Sequence, residues 1–271
     1  MQSLNDREAY SWNKIPELTL LFWIMKITAT TLGETGGDLL AQTLNVGYLV
    51  SSFIFFGFFL VMLTCQLVSK RYIPPIYWAV IVATSTAGTT MSDYMDRTLE
   101  LGYALGSVIL VAILAGILIA WKLTEKTLSV TNVRSIRGEV FYWMAILVSN
   151  TLGTALGDFL ADDSGLGFGG SALLISAVLA LVVLAYFFTK LSRILLFWIA
   201  FILTRPFGAT FGDLLTKSPE KGGMGYGTKG SSLILLGLLI VLVIYEMTKR
   251  RKNTVGNKNA QQRRSQLFVT K

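Results

Sequence analysis

FWIMKITATTLGETGGD (residues 22–38) returns three more times along the chain, as YWAVIVATSTAGTTMSD (77–93), YWMAILVSNTLGTALGD (142–158) and FWIAFILTRPFGATFGD (197–213). Each copy pairs an aromatic residue with a tryptophan (Trp23, Trp78, Trp143, Trp198). A glycine follows ten residues after the tryptophan (Gly33, Gly88, Gly153, Gly208), and an aspartate follows fifteen after it (Asp38, Asp93, Asp158, Asp213). A Gly-aromatic pair then opens a second, almost purely apolar segment: Gly47-Tyr48, Gly102-Tyr103, Gly167-Phe168 and Gly225-Tyr226. Two coincident offsets in four copies mark an internal repeat, and the repeat decides the architecture.

The solvent for that architecture follows from composition. The 271 residues are 53% hydrophobic and only 15% charged, with a mean hydropathy of +0.58, whereas a soluble domain carries roughly 25% charged residues. Eight apolar runs are each of the length that crosses a bilayer, about 20 residues. The expected fold is therefore an all-α integral membrane protein of eight transmembrane helices, arranged as four two-helix repeats. The expected boundaries are a polar N-terminal segment 1–16, repeats at 17–69, 76–124, 139–190 and 194–248, and a basic tail 249–271. Two spans per repeat bring every unit into the membrane from the same side, so the units are parallel and suit four equivalent helices around an axis along the membrane normal.

Orientation follows from the loop cations. Of 24 Lys and Arg, eighteen fall at the termini or in loops on one side, including Arg7, Lys14, Lys70, Arg71, Arg134, Arg137 and the tail from Lys249. The other side holds Arg97, Lys217, Lys221 and Lys229, and two lie within apolar segments, Lys26 and Arg205. The positive-inside rule places both termini in the cytoplasm and accounts for the net charge of +8 without a nucleic-acid partner. The tail reads as a disordered topological anchor. Association into a homo-oligomer is compatible with this pattern.

One cysteine and no histidine remove thiolate clusters, His ligation and His-dependent nucleophilic sites, so no enzyme and no cofactor is expected. Cys65 reads as a small buried hydrophobe, and Met91 and Met95 as core. Gly222–Gly227 is no phosphate loop, for it lacks the preceding strand and the Lys-Ser/Thr ending. Asp96, Asp162 and Asp163 read as a solvated outer rim, and the residues of the Gly-aromatic pairs as interface anchors.

The first helices of the repeats carry the chemistry. Gly33/Gly37, Gly88/Ser92, Gly153/Gly157 and Gly208/Gly212 have the small-xxx-small spacing that lets helix backbones approach closely in lipid. Beside each groove runs a stripe of Thr31, Thr86 and Thr151, then Glu34, Thr35, Thr89, Thr90, Thr154 and Thr210, then the repeat aspartate. If the grooves join the four helices, the stripes converge. Intramembrane acids are expensive and mark functional sites by default. Each aspartate either caps the turn that follows or lines a hydrated acidic site, and the apolar register beyond Asp38 and Asp213 favours the site. At 1.5 Å per residue the carboxylates lie roughly 22 Å from the tryptophans, in the outer third of the bilayer. Oxygen-only donors suit a hard cation such as Mn²⁺, Mg²⁺ or H⁺, and Asp38, Asp93, Asp158 and Asp213 are the expected metal ligands.

The repeats also break their own symmetry. Lys26 and Glu34 in the first stand where the others have Ile81/Thr89, Ile146/Thr154 and Phe201/Ala209. Lys26 is expected either to snorkel to the cytoplasmic interface or to act as a counter-charge or gate residue within the membrane. Arg205, beside Pro206, is expected to pair with an acid of a neighbouring unit as a counter-charge or gate. The function expected is a transporter or channel for a small hard cation. The alternatives are export of organic cations or amphiphiles, or a non-transporting scaffold whose Gly and Asp are structural. With all four tryptophans in place over residues 17–248, the chain resembles a family of bacterial inner-membrane proteins built from four tandem two-helix repeats, each with a tryptophan. The resemblance implies the fold and no mechanism, for that family's function is unsettled.

Overall fold

A computed structural model describes residues 14–130, 133 and 135–269 of the chain, with 254–269 by backbone alone. The expectations on residues 1–13, Arg134 and Lys271 lie outside the described residues. Among the described residues eight long helices follow one another: α1 (Leu20–Asp38), α2 (Tyr48–Val68), α3 (Pro74–Asp93), α4 (Tyr103–Glu125), α5 (Ile136–Asp158), α6 (Gly167–Phe188), α7 (Arg193–Thr216) and α8 (Gly227–Val269). No strand occurs among the described residues. Six helices are long and apolar enough to cross a membrane. The other two, α1 and α3, contain Lys26, Glu34 and Asp38 or the hydroxyl-rich run Thr84–Thr90, which lower their hydropathy.

Local chemistry sets the helix starts. The hydroxyls of Thr19, Ser135 and Ser192 accept from the backbone N–H groups of Phe22, Gly138 and Leu195, and Pro74 opens α3, which are favourable first-turn arrangements. The second helices open at glycines of positive φ: Gly47 (81°), Gly102 (71°), Gly167 (64°) and Gly227 (72°), a conformation open to glycine without steric penalty. In the fourth repeat the opening residue is thus Gly227 rather than Gly225, because Pro219–Lys221 forms an extra 3₁₀ turn.

The odd-numbered helices form a closed ring in which α1 packs on α3, α3 on α5, α5 on α7 and α7 on α1. Each even helix braces the first helix of the next repeat, α2 on α3, α4 on α5 and α6 on α7, and α8 closes the circle on α1. The glycine grooves are the seams. A Cβ at Gly33 would run into Ser85 Cβ and one at Gly153 into Arg205 Cγ; at Gly88 it would stand 2.9 Å from Asn150 C, and at Gly208 2.6 Å from Thr30 Oγ1. The same contact recurs at all four seams, so small-xxx-small spacing governs the ring.

The second small position of each pair departs from the expected approach of backbone to backbone. A Cβ at Gly37 would meet Thr89 Cβ, at Gly157 Ala209 Cβ and at Gly212 Glu34 Cβ, each at 2.9 Å. Gly37, Gly157 and Gly212 therefore make room for a side chain of the next ring helix. That side chain stands eleven residues after its own tryptophan in every case. Ser92, the fourth member, is buried and turns its hydroxyl to Asp96 at 3.1 Å. Outward-facing residues of the even helices, such as Phe53, Val108, Leu173 and Leu233, are exposed, an apolar belt larger than a soluble monomer tolerates.

The tryptophans gather at one end of the ring. Phe22 lies beside Trp78 (centroids 5.7 Å apart), Tyr77 beside Trp143 (5.4 Å) and Trp23 beside Phe197 (6.0 Å), so the four ring helices are parallel. Two further sequence readings need correction. Cys65 is exposed on α2 rather than buried. The tail is not disordered: α8 continues to Val269, where Lys, Arg, Gln and Ala favour a helix and a Glu246–Arg250 pair (3.1 Å) spans the junction.

Candidate functional site: a charged axis inside the helix ring

Five positions, spaced by four, turn the same face of each ring helix inward. Counted from tryptophan they are −1 (Phe22, Tyr77, Tyr142, Phe197), +3 (Lys26, Ile81, Ile146, Phe201), +7 (Thr30, Ser85, Asn150, Arg205), +11 (Glu34, Thr89, Thr154, Ala209) and +15 (the aspartates), and all twenty are buried. This is an i±4 ridge. The polar stripe expected from sequence runs instead through the threonines at +8 and +12. Those lie on the seams, where Thr31, Thr86, Thr151, Thr90 and Thr210 donate to carbonyls of their own helices and the Thr35 hydroxyl meets Ser232 of α8 at 2.9 Å. Thr89 and Thr154, at +11, do face the axis.

The aspartates do not cap turns. The helix runs on beyond Asp38, Asp93 and Asp158 as a single π-helical turn, with no capping bond from the aspartate side chain, and Asp213 lies within α7. Their carboxylates meet two cations. Arg97 gives Nε to Asp93 (3.1 Å) and Nη2 to Asp158 (2.9 Å). Lys217 places Nζ 2.6 Å from Asp38 and 3.2 Å from Asp213. Gln42 Nε2 donates to Asp38 at 2.5 Å. Both cations stand four residues after their own aspartate and reach across a seam to the next. Burial alone would pull the Lys217 ammonium's pKa down; the charges of Asp213 and Asp38 outweigh it and hold it above the ordinary value.

Asp96, expected on the solvated rim, is buried: it accepts from Ser92 at 3.1 Å and packs over Gly106. Asp162 and Asp163 are exposed.

Deeper in, Arg205 touches all three other ring helices. Its Nη2 lies 3.0 Å from Glu34 Oε2 on α1 and donates to Thr154 Oγ1 on α5 (2.6 Å) and to Thr89 Oγ1 on α3. The expected partner from a neighbouring unit is thus Glu34, seated against Gly212. Lys26 does not snorkel. It is fully buried, crosses the axis to Asn150 Oδ1 on α5 at 3.4 Å, and stands 4.2 Å over the Phe201 ring. One long hydrogen bond and a cation–π contact take the place of part of the water it would otherwise seek.

The expected foursome of metal ligands is split by this geometry. Asp93 and Asp158 share Arg97 across one seam. Asp38 and Asp213, on the opposite seam, are joined by Glu34, and one carboxylate oxygen from each of these three lies within 4.8 Å of the others.

At the tryptophan end the axis is closed by the −1 residues, with the Tyr77 and Tyr142 hydroxyls 2.7 Å apart. Beside this closure lies a cleft of about 220 Å³ lined by Phe22, Met25, Trp78, Glu246 and Lys249 among others. Glu246, which carries no repeat signal in the sequence, accepts from Trp78 Nε1 (3.1 Å) and Tyr72 OH (3.0 Å).

No curated protein and no solved structure matches the chain. A family profile described as a repeat of unknown function (DUF347) matches four times in tandem, at residues 21–72, 76–127, 141–192 and 196–252. These matches hold the four copies whose first helices build the ring, and the chain belongs to that family.

Proposed function

We propose that all eight helices cross a bacterial cytoplasmic membrane with both termini inside, and that the ring transports a small hard cation in exchange for protons. The reading rests on one observation: three carboxylates of two neighbouring repeats, Glu34, Asp38 and Asp213, each place an oxygen within 4.8 Å of the others, and a single ammonium, Lys217, bridges the two aspartates. Carboxylate oxygens in such a group suit Mn²⁺ or Mg²⁺, and the Gln42 amide oxygen, 3.5 Å from Lys217 Nζ, adds a neutral donor. The Lys217 ammonium occupies the same carboxylates that an arriving cation needs, so it withdraws as the cation binds and returns as the cation leaves. Protonation of the carboxylates releases the cation.

The remaining charges fit a transport path. Asp38, Asp93, Asp158, Asp213 and Glu34 outnumber Arg97, Lys217, Arg205 and Lys26 by one, which leaves the axis able to accept one further positive charge. The aromatic closure beside the cleft is the barrier that has to part on the cytoplasmic side.

Purified protein in liposomes loaded with a divalent-sensitive dye tests this. External Mn²⁺ should change the dye signal, and Asp38→Asn and Asp213→Asn should reduce the rate at least tenfold while melting as cooperatively as wild type. Silence toward Mn²⁺, Mg²⁺ and an imposed pH gradient, or Asn variants that lose folding rather than flux, would favour a scaffold instead.

A further inference from the structure

The inner half of the ring has the opposite electrostatic problem. From +3 to +11 its ionisable groups are Lys26 and Arg205 against a single carboxylate, Glu34. Glu34 is engaged by Arg205 through Nη2 (3.0 Å). Among the described residues the guanidinium's other donors, Nε and Nη1, are buried without a protein partner, and so is the Ser85 hydroxyl at the same +7 level. Among the described residues Lys26 has one long hydrogen bond, 3.4 Å to Asn150 Oδ1, beside its contact with the Phe201 ring. A buried guanidinium donor left unmade carries the full desolvation penalty of a charged group, and an uncompensated charge deep in a membrane is costlier still.

We infer that the inner ring binds a small monovalent anion of halide size, held between the Lys26 ammonium and the unused donors of Arg205 with the Ser85 hydroxyl alongside. Such an ion neutralises the surplus positive charge and satisfies donors that the protein leaves open. Its size is limited because the neighbouring levels of the ring are filled by buried side chains, Phe201 and Ile81 at +3 and Thr89 and Thr154 at +11. The site uses none of the four aspartates and meets the proposed cation site only at Glu34, through its Arg205 pair.

The repeats supply the control. Position +3 is isoleucine in the second and third units (Ile81, Ile146), so Lys26→Ile installs a side chain that the same ring already accommodates. Equilibrium dialysis of the purified full-length protein with radiolabelled chloride, without added metal, should find one saturable site per chain. Lys26→Ile should bind at least tenfold more weakly, and Ser85→Ala several-fold more weakly. Replacing chloride by the bulkier gluconate at constant ionic strength should lower the wild-type Tm by about 3 °C and leave Lys26→Ile unmoved. Absence of saturable chloride or bromide binding to wild type, or equal binding by folded Lys26→Ile and Ser85→Ala, would overturn the inference and leave water as the partner of the Arg205 donors. Because no divalent ion enters the assay, this result is separate from the fate of the cation reading.

Discussion

The Asp93–Arg97–Asp158 bridge and the Asp38–Lys217–Asp213 bridge are built on one plan, a cation four residues beyond one repeat aspartate reaching across a seam to the next. They sit on opposite seams of the ring and differ in three ways. Arg97 offers two separate nitrogens in a rigid fork, one to each carboxylate, whereas Lys217 must serve both from a single flexible ammonium. Arg97 belongs to a π-helical turn that continues α3, and Lys217 is the first residue beyond α7, ahead of the 3₁₀ turn and the glycines of the longer fourth-repeat loop. A third carboxylate, Glu34, stands on the Lys217 side, while the corresponding residues near Arg97 are Thr89 and Thr154, both occupied by Arg205. On the proposed reading, one geometry serves as a fixed staple on one seam and as an exchangeable site on the other.

The largest effect is expected at Arg97. Arg97→Met strands two buried carboxylates, and breaking such a pair costs about 3–5 kcal/mol. The expected outcome is a marked loss of monodisperse protein or of Tm that Mn²⁺ does not restore. Lys217→Met should destabilise less, and millimolar Mn²⁺ should restore its Tm. Equal behaviour of the two variants toward Mn²⁺ would erase the distinction between the seams.

Neutralising single aspartates sharpens the contrast. Asp158→Asn should cost about 1–3 kcal/mol of stability and leave Mn²⁺ flux within a few-fold of wild type, whereas Asp38→Asn should abolish flux with a smaller change in Tm. The smallest effect is expected for Gln42→Ala. It removes one hydrogen bond that an exposed amide donates to the Asp38 carboxylate, worth about 1 kcal/mol at that exposure, and should shift the Mn²⁺ concentration dependence two- to five-fold without altering the maximal rate.

Much of the fold is legible because the repeat writes it four times. Trp23 to Asp38 fixes helix length, and Gly33 and Gly37 mark the seam. Spacing does not tell what each glycine faces: Gly33 and Gly153 admit the +7 residue of the next helix, Gly157 and Gly212 its +11 residue, and that pairing exists only between assembled helices. The inward face is harder still to read, because threonines at +8 and +12 look like a polar lining. They satisfy themselves on their own helix carbonyls, which polarity alone does not reveal. Lys26, three residues from Trp23, is within snorkelling reach of the interface, so sequence favours that course. The ring gives it Asn150 and Phe201 instead. Arg97 and Lys217 count as loop cations in any topology argument. Their signal is present nonetheless: both stand four residues after a repeat aspartate, and only in the second and fourth copies.

The central claim is that Glu34, Asp38 and Asp213 form a cation site held closed by Lys217. Its most direct test is a Mn²⁺ titration of purified wild type, Lys217→Met and the Lys217→Met/Asp38→Asn double variant, read by isothermal calorimetry. One site per chain should appear in Lys217→Met, at least tenfold tighter than in wild type, and should vanish in the double variant. A Lys217→Met protein that is folded and binds Mn²⁺ no better than wild type, or binds it equally without the Asp38 carboxylate, would contradict the account.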